Sequence, residues 1–232
     1  MQLWLCPLLA FFLGSIPCGL LIAKARGVDI RQHGSGNIGA TNVLRVMGKK
    51  FGIPCLLLDV LKGFVPTLLA ITLIRFAGQP TGIAIPFLLP FAKVDNPQLI
   101  AQLMQVITGL CAILGHNYSP WVGFKGGKGI ATSAGVVMAL MPAALVILAL
   151  FWLLLFFITR YVSVASIGAV AVLPIITLWG SWHHGRIQDG TWNKPLFAFS
   201  VAVALLGIWK HRSNIQRLMA GTENRFEKKA KK

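Results

Sequence analysis

Residues 130–159 read IATSAGVVMALMPAALVILALFWLLLFFIT and contain no charged side chain. As one helix this stretch would measure about 45 Å, whereas the hydrocarbon core of a bilayer is about 30 Å thick. Pro142 lies near its middle, where a proline can end one helix and begin the next. We therefore predict two membrane-spanning helices here, a short one at 130–141 and a longer one at 143–159.

The composition of the whole chain also indicates a membrane protein. Of its 232 residues, 56% are apolar and only 12% are charged, and the mean hydropathy is +0.72. A soluble domain carries roughly a quarter of its residues as charges, so this composition argues against a soluble globular fold. The 22 Lys and Arg residues outnumber the 6 Asp and Glu residues. In a membrane protein this excess indicates cationic loops beside anionic lipid, and no nucleic-acid partner is expected.

Five further apolar stretches bring the predicted total to seven spans, at 3–23, 51–76, 99–114, 164–182 and 195–209. Within residues 78–98, a proline-flanked apolar patch at 83–91 is too short to cross the bilayer and is predicted to be re-entrant or interfacial. The sequence thus predicts an all-α polytopic membrane protein in which residues 1–232 form one integral-membrane domain.

The distribution of basic residues predicts the orientation of the spans. With the N-terminus outside, the cytoplasmic segments hold 17 of the 22 Lys and Arg residues. Cytoplasmic loops are enriched in Lys and Arg, so we expect the N-terminus outside and the C-terminus inside, with the functional site at the inner membrane face. The cytoplasmic segments are 24–50, 115–129, 160–163 and 210–232, the last ending in a basic tail at 224–232.

The first cytoplasmic segment contains GSGNIGATN at 34–42, followed by Arg45. Glycines let backbone N–H groups approach a ligand, and consecutive N–H groups ahead of a helix form an anion site. Arg45 would add a bidentate grip on phosphate. The alternative is a flexible turn that joins two spans. The candidate binding residues of this loop are Ser35, Gly36, Asn37, Gly39, Thr41 and Asn42.

The second cytoplasmic segment reads GHNYSPWVGFKGGKG at 115–129. Its glycines stand beside two lysines, which predicts a second backbone cradle for phosphate with ammonium groups next to it. The alternative is that the lysines only anchor the topology. The candidate residues of this loop are Lys125, Gly126, Gly127, Lys128 and Gly129. For His116, a structural hydrogen bond and a catalytic role both remain open.

The exit from the last span reads KHRSNIQRL at 210–218, followed by Glu223. On a continuing helix His211 and Asn214 are three residues apart and share a face, where they could orient a hydroxyl or a polar head group. The alternative is a basic amphipathic helix on the inner leaflet. Glu223 is interpreted as a structural partner for a nearby arginine.

Three other polar residues lie at or within predicted spans. Ser163 ends the short cytoplasmic turn at 160–163, just before a span, where it would donate a hydrogen bond to a ligand or cap the helix. Asp59 and Lys62 are three residues apart in the second span. Because charges buried in a membrane are costly, we expect these two to form an ion pair with a structural role.

Five blocks of this sequence closely resemble the bacterial acyl-phosphate:glycerol-3-phosphate acyltransferase (PlsY) family. They appear in the family's order and run from one end of the chain to the other. The resemblance implies a short polytopic protein with seven helices, the N-terminus outside, and no metal or other cofactor. The blocks are GSGNIGATNVLR (34–45), DVLKG (59–63), GHNYSPWVGFKGGKG (115–129), YVS (161–163) and HRSNIQRL (211–218) with a later Glu223.

The resemblance also implies roles for individual residues. It places Ser163 near the acceptor, gives the glycine-rich loop at 123–129 to phosphate recognition and makes Glu223 mainly structural. Matching motifs does not show which lysine contacts which phosphate. The residues implied to be catalytic are Ser35, Arg45, Lys125, Lys128, His211 and Asn214.

The activity implied by the resemblance is the first acylation of phospholipid synthesis, at the inner face of the bacterial cytoplasmic membrane. The acyl donor would be acyl phosphate, handed over by a soluble acyl-phosphate synthase (PlsX), and the acceptor glycerol 3-phosphate. Acyl phosphate is already an activated anhydride, so direct transfer needs no acyl-enzyme. The proton of the acceptor hydroxyl could pass to the donor's phosphate or to His211. The alternative class is a transporter for a phosphorylated metabolite.

Overall fold

The computed structural model describes residues 4–74 and 96–226, and within these ranges the regular structure is entirely helical. Two short 3-10 turns, at Ile30–Gln32 and Pro120–Val122, lie in the loops. The helices are α1 (Leu5–Ser15), α2 (Cys18–Lys24), α3 (Ala40–Met47), α4 (Lys49–Leu73), α5 (Pro97–Asn117), α6 (Ile130–Leu140), α7 (Pro142–Thr159), α8 (Val162–His183), α9 (Lys194–Lys210) and α10 (Arg212–Met219).

The helical segments confirm the prediction of an all-α polytopic protein. Within the described ranges, five segments are long and apolar enough to cross a membrane. Helix α6 has 11 residues and α9 has 17, so each is shorter than these five. The count of seven spans and the outside N-terminus therefore remain predictions. The five segments are Leu5–Lys24, Lys49–Leu73, Gln98–Val122, Pro142–Thr159 and Val162–His183.

Prolines set two helix boundaries in this fold. The predicted break at Pro142 is confirmed, because α6 ends at Leu140 and α7 begins at Pro142. The first span, expected to be one helix, is instead broken at Pro17 into α1 and α2. Proline lacks an N–H and disfavours a helical conformation in the residue before it, which explains the break. The patch at 83–91, predicted to be re-entrant or interfacial, lies outside the described part of the chain.

Glycines allow two pairs of helices to pack at close range. Gly14 and Gly115 do this between α1 and α5, and Gly63 and Gly135 do it between α4 and α6. A Cβ atom added at any of them would collide with a backbone oxygen of the facing helix. Membrane helices associate through such small residues because burial from water gives little driving force inside lipid. These contacts fix the bundle whose end carries the polar loops.

The polar loops meet at one end of the bundle, which we call the site end. Lys210, at the end of α9, donates a hydrogen bond of 2.9 Å from Nζ to the carbonyl oxygen of Asn117, at the end of α5. The N–H of Phe226 donates to the carbonyl oxygen of Arg160, between α7 and α8, at 3.0 Å. The segments that were predicted to face the cytoplasm therefore lie on the same side of the protein.

Candidate active site

The glycine-rich loop and the C-terminal segment are joined by a chain of polar side chains. Lys128 donates from Nζ to the Oδ1 atom of Asn214. The amide nitrogen of Asn214 donates to Oε1 of Glu223 at 2.6 Å, and Nε of Arg217 donates to Oε2 of Glu223 at 2.7 Å. The predicted pairing of Glu223 with an arginine is confirmed. Lys128, Asn214, Arg217 and Glu223 are called the polar chain below.

His211 lies beside the polar chain in a form that suits it to accept a hydrogen bond. Its Nδ1 atom donates to the carbonyl oxygen of Gly207 at 2.8 Å, so Nε2 carries a lone pair when the ring is neutral. Burial, assisted by the positive charge of Lys128, lowers the pKa of His211 to about 4. The ring is therefore neutral near pH 7, with Nε2 as its hydrogen-bond acceptor.

The two lysines of the glycine-rich loop have different environments. Lys125 is exposed, whereas Lys128 is partly buried and belongs to the polar chain. Burial lowers the pKa of Lys128 to about 8 even though the carboxylate of Glu223 opposes the shift. Lys128 is the loop ammonium that the fold brings to His211, and Lys125 lies outside this cluster.

The first loop is held in shape by two asparagines. Asn42 is buried, and its Oδ1 accepts from the backbone N–H of Ser35 at 2.9 Å. Its amide nitrogen lies within hydrogen-bond distance of three loop carbonyls, and Asn37 accepts from the N–H of Gly39 at 2.8 Å. Asn42 is thus engaged inside the loop. The three carbonyls are those of Ile30 at 3.2 Å, His33 at 2.9 Å and Asn37 at 2.9 Å.

Helix α3 brings the first loop to the polar chain. The helix begins directly after Gly39 and carries Thr41, Asn42 and Arg45, and a helix start here favours the predicted anion site. The pKa of Arg45 is below its usual value, because the effect of burial outweighs the opposing effect of the nearby Glu223 carboxylate. Ser35 connects to this region through its backbone bond to Asn42. The loop, the helix and the polar chain therefore form one cationic surface at the site end.

The glycines of the second loop fit closely against the end of α5. The N–H of Gly127 donates to the carbonyl oxygen of His116 at 3.1 Å, and a Cβ atom on Gly127 would collide with the imidazole ring of His116. A Cβ on Gly126 would collide with the same carbonyl, and Gly129 has a φ of +80°. Close packing against α5 thus requires these glycines. The sequence had suggested a different reason for them, the access of a ligand to the backbone.

A buried ionic cluster lies behind this loop. The predicted pair of Asp59 and Lys62 is confirmed, with Lys62 Nζ and Asp59 Oδ1 2.9 Å apart. Lys62 also donates to the carbonyl oxygen of Ile16 at 2.8 Å, next to the break between α1 and α2. Nδ1 of His116 lies 3.7 Å from Asp59 Oδ1. These contacts favour the structural interpretation of His116, as the support on which Gly127 rests.

Ser163 carries a buried hydroxyl beside the polar chain. It is 4% exposed, and its Oγ has no hydrogen-bond partner within residues 4–74 and 96–226. It lies near enough to Glu223 to stabilise that carboxylate. Burial acts to raise the pKa of Glu223, but hydrogen bonds from Asn214 and Arg217 outweigh it and leave the pKa lowered. The hydroxyl of Ser163 therefore lies beside the Glu223 carboxylate and helps to stabilise its charge.

Arg217 is the member of the polar chain that the motifs did not single out. Its position three residues after Asn214 places both on one face of α10, and this spacing was the signal available. Phe226 also reaches this region, with its ring centroid 5.4 Å from the guanidinium carbon of Arg45. It lies in the basic tail, where the sequence pattern gave no signal.

Comparison with known proteins shows the family to which the chain belongs. Residues 4–221 match the family model described as glycerol-3-phosphate acyltransferase. The chain belongs to the glycerol-3-phosphate acyltransferase family. The curated glycerol-3-phosphate acyltransferase of Fusobacterium nucleatum is 42% identical over 220 residues, covering 94% of this chain and 95% of that protein. The enzyme of Geobacter metallireducens is 44% identical over 218 residues, covering 94% of each.

Solved structures extend the family assignment to the fold. The chain is similar to crystal structures of PlsY (YgiH), an integral membrane glycerol 3-phosphate acyltransferase, in a glycerol 3-phosphate form and a lysophosphatidic acid form. The TM-scores are 0.78 and 0.76, with 35% identity and coverage of 98% of this chain and 96% of the other. This family member is therefore an integral membrane acyltransferase of phospholipid biosynthesis, and the resemblance found in its motifs is confirmed.

Proposed function

We propose that this chain transfers a fatty acyl group from acyl phosphate to the C1 hydroxyl of sn-glycerol 3-phosphate. The products are 1-acyl-sn-glycerol 3-phosphate and inorganic phosphate. The related PlsY was crystallised in forms named for glycerol 3-phosphate and lysophosphatidic acid, which supports this acceptor and this product. The donor is proposed from the resemblance in the motifs, and the cations of the site, which suit two phosphates, support it.

The observation that carries the proposal is the convergence of cations around a neutral histidine at the end of an apolar bundle. Arg45, Lys128 and Arg217 act electrostatically on one another, and Lys128 acts on the ring of His211. Grouping like charges in a partly buried place is costly, and the single negative charge of Glu223 leaves these three cations in need of further anions. Two phosphate-bearing substrates would supply those anions.

We assign the acceptor to the first loop and the donor to the second. Arg45 and Ser35 bind the phosphate of glycerol 3-phosphate, with the backbone around Gly36, Gly39 and Thr41 beside it. Asn37 and Asn42 hold this loop in shape. Lys128 and the backbone of the second loop, at Gly126, Gly127 and Gly129, bind the acyl phosphate, while exposed Lys125 attracts it at the rim. The hydroxyl of Ser163, which lies beside Glu223, donates to a substrate, and Asn214 holds Lys128 in place.

The proposed reaction is a single direct transfer. The C1 hydroxyl oxygen forms a bond to the acyl carbon, the bond from that carbon to the phosphate oxygen breaks, and phosphate leaves. Nε2 of His211 accepts a hydrogen bond from the attacking hydroxyl and orients it. With its pKa near 4, His211 is a poor place to store the proton. We therefore assign the proton to the departing phosphate, whose growing charge Lys128 neutralises.

We place the enzyme in the bacterial cytoplasmic membrane, with the N-terminus outside and the site end at the inner face. The support is the charge distribution, since the predicted inside segments carry 17 of the 22 basic residues. In this position the site meets acyl phosphate from a soluble synthase such as PlsX. The acyl tail would lie along helices such as α7, whose apolar side chains are largely exposed to lipid.

The proposal is tested with purified protein in detergent, given acyl phosphate and glycerol 3-phosphate. We expect phosphate release that requires both substrates and equals the lysophosphatidic acid formed. Acyl-CoA and acyl carrier protein should not replace the donor. A stable acyl group on Ser35 or on a cysteine would contradict direct transfer. Uptake of glycerol 3-phosphate into vesicles without any acylated product would instead indicate a transporter.

A further inference from the structure

The chain after α10 folds back over the site as a short strap, residues 221–226. The reversal is a Schellman motif, in which the N–H of Gly221 donates to Leu218 O at 3.2 Å and that of Thr222 donates to Arg217 O at 2.8 Å. Gly221 has a φ of +68°, which a side chain would disfavour. This turn sends Glu223 to the polar chain and carries Phe226 toward α3 and α7.

Phe226 joins three parts of the site end. Its N–H donates to Arg160 O at 3.0 Å, which attaches the strap to the connection between α7 and α8. Its ring meets the ring of Phe156 edge to face, with centroids 5.7 Å apart and planes at 75°. The guanidinium carbon of Arg45 lies over the same ring, 5.4 Å from the centroid. Phe156 thus holds the ring on one side while Arg45 contacts it on another.

Arg45 depends on this ring for its position. Its side chain makes no hydrogen bond and no ion pair of 4 Å or less in the described part of the chain, although its charge is felt by Glu223 and Arg217. A ring that covers a guanidinium leaves the N–H groups in its plane free for an oxyanion. An arginine arranged in this way is ready to bind phosphate without first breaking another bond.

We propose that Phe226 is a positioning residue that holds Arg45 for the phosphate of glycerol 3-phosphate. The inference rests on the proposed function, in which Arg45 binds this phosphate. Phe226 lies beyond residues 4–221, so the contact is not part of what the family match assigns. In this chain, the strap completes the acceptor site from outside the matched region.

The experiment compares substitutions of Phe226 by steady-state kinetics with each substrate varied in turn. For Phe226→Ala we expect the KM for glycerol 3-phosphate to rise roughly threefold to tenfold, the range that corresponds to a cation–π contact. We expect kcat and the KM for acyl phosphate to stay within about twofold. Phe226→Tyr, which keeps the ring, should behave like the wild type. Arg225→Ala is the matched control, since it removes the neighbouring cation–π contact with Tyr161.

Two further variants separate positioning from simple packing. Phe226→Leu keeps apolar bulk without an aromatic ring, so its Tm should match the wild type while its KM for glycerol 3-phosphate rises as for Phe226→Ala. In an Arg45→Ala background, Phe226→Ala should raise this KM no further. A wild-type KM for Phe226→Leu, or an equal rise with and without Arg45, would overturn the proposal. If Arg45→Ala alone leaves the KM unchanged, the assignment of Arg45 to the acceptor fails, whatever Phe226 does.

Discussion

Lys128 and Asn214 are 86 positions apart in the sequence, yet the ammonium of one hydrogen-bonds the amide oxygen of the other. This bond fixes the orientation of the Asn214 amide, whose nitrogen then donates to Glu223. Glu223 is held from its other oxygen by Arg217. Two hydrogen bonds therefore separate the Glu223 carboxylate from the ammonium of Lys128. Because the carboxylate does not bond this ammonium directly, an incoming phosphate need not displace it. The arrangement keeps Lys128 in place and available.

The first prediction concerns the pH dependence that Lys128 imposes. Burial lowers the pKa of Lys128 to about 8, so raising the pH through this value removes the charge that binds phosphate. We expect kcat/KM for acyl phosphate to be level below pH 8 and to fall about tenfold per pH unit well above it, as for a single titrating group. The measurement is a pH–rate profile at low donor concentration.

Lys128→Arg provides the control, because a guanidinium stays charged over the whole range. Whatever its absolute rate, this variant should lack the alkaline fall. A fall at the same pH in Lys128→Arg would assign the titration to another group. Lys125→Met should keep the wild-type profile, because Lys125 is exposed and lies outside the polar chain.

The sequence predicted the elements that follow from local chemistry. The uncharged stretch at 130–159 with Pro142 predicted two helices, and both are present. The spacing of Asp59 and Lys62 predicted an ion pair, since residues three apart in a helix meet wherever the helix lies. The same reasoning expected His211 and Asn214 on one face of a continuing helix, but the helix is interrupted at His211, between α9 and α10. The two residues still meet, because the N–H of Asn214 donates to the carbonyl oxygen of His211 at 2.8 Å.

What the sequence did not predict depends on tertiary contacts. The break at Pro17 was missed, and the two carbonyl groups just before it, those of Ser15 and Ile16, accept hydrogen bonds from Ser119 and Lys62, which are remote in the chain. The glycines of the second loop suggested a phosphate cradle, but their contact with the end of α5 appears only in three dimensions. The position of Phe226 depends on the chain reversal at Gly221 and on its contact with Phe156 of α7. The sequence around Phe226 shows neither of these.

The second prediction concerns His211, whose Nδ1 donates to the carbonyl oxygen of Gly207, which leaves Nε2 as the acceptor of the neutral ring. His211→Ala should lower kcat by roughly a hundredfold or more, the contribution typical of a group that orients or moves a proton. His211→Gln, which places an oxygen near the position of Nε2, should recover part of this loss. Steady-state rates of monodisperse protein are compared with those of the wild type. Near-normal turnover by His211→Ala would remove this residue from the mechanism.

The acid side of the pH profile gives an independent test of His211. Burial lowers its pKa to about 4, so the ring stays neutral as the pH falls through the usual histidine value of about 6.5. We expect no loss of kcat/KM assignable to His211 between pH 7.5 and about 5.5. A titration near 6.5 that disappears in His211→Gln would show that the ring is charged in the free enzyme and would contradict this assignment.

The third prediction concerns Gly127, whose missing side chain lets the loop rest on the ring of His116. Gly127→Ala should push the loop and Lys128 away from the polar chain and lower kcat/KM roughly a hundredfold, because small displacements of binding groups are costly. His116→Ala in the same protein should restore part of the activity by making room. Gly180→Ala is the control, since a Cβ there meets nothing within 4 Å. Full activity of Gly127→Ala would contradict the packing argument.

The fourth prediction concerns the stability of the buried pair of Asp59 and Lys62, whose charged atoms are 2.9 Å apart. Lys62→Met leaves the carboxylate of Asp59 without its partner in a membrane-embedded helix and should cost roughly 3 kcal/mol or more. Adding Asp59→Asn removes the unpaired charge, so the double variant should unfold at a higher Tm than Lys62→Met alone. Thermal unfolding in detergent measures both, with Lys49→Met, an exposed residue at the start of the same helix, as the control. If Lys62→Met and the double variant both keep the wild-type Tm, the pair does not stabilise the helix bundle beneath the site.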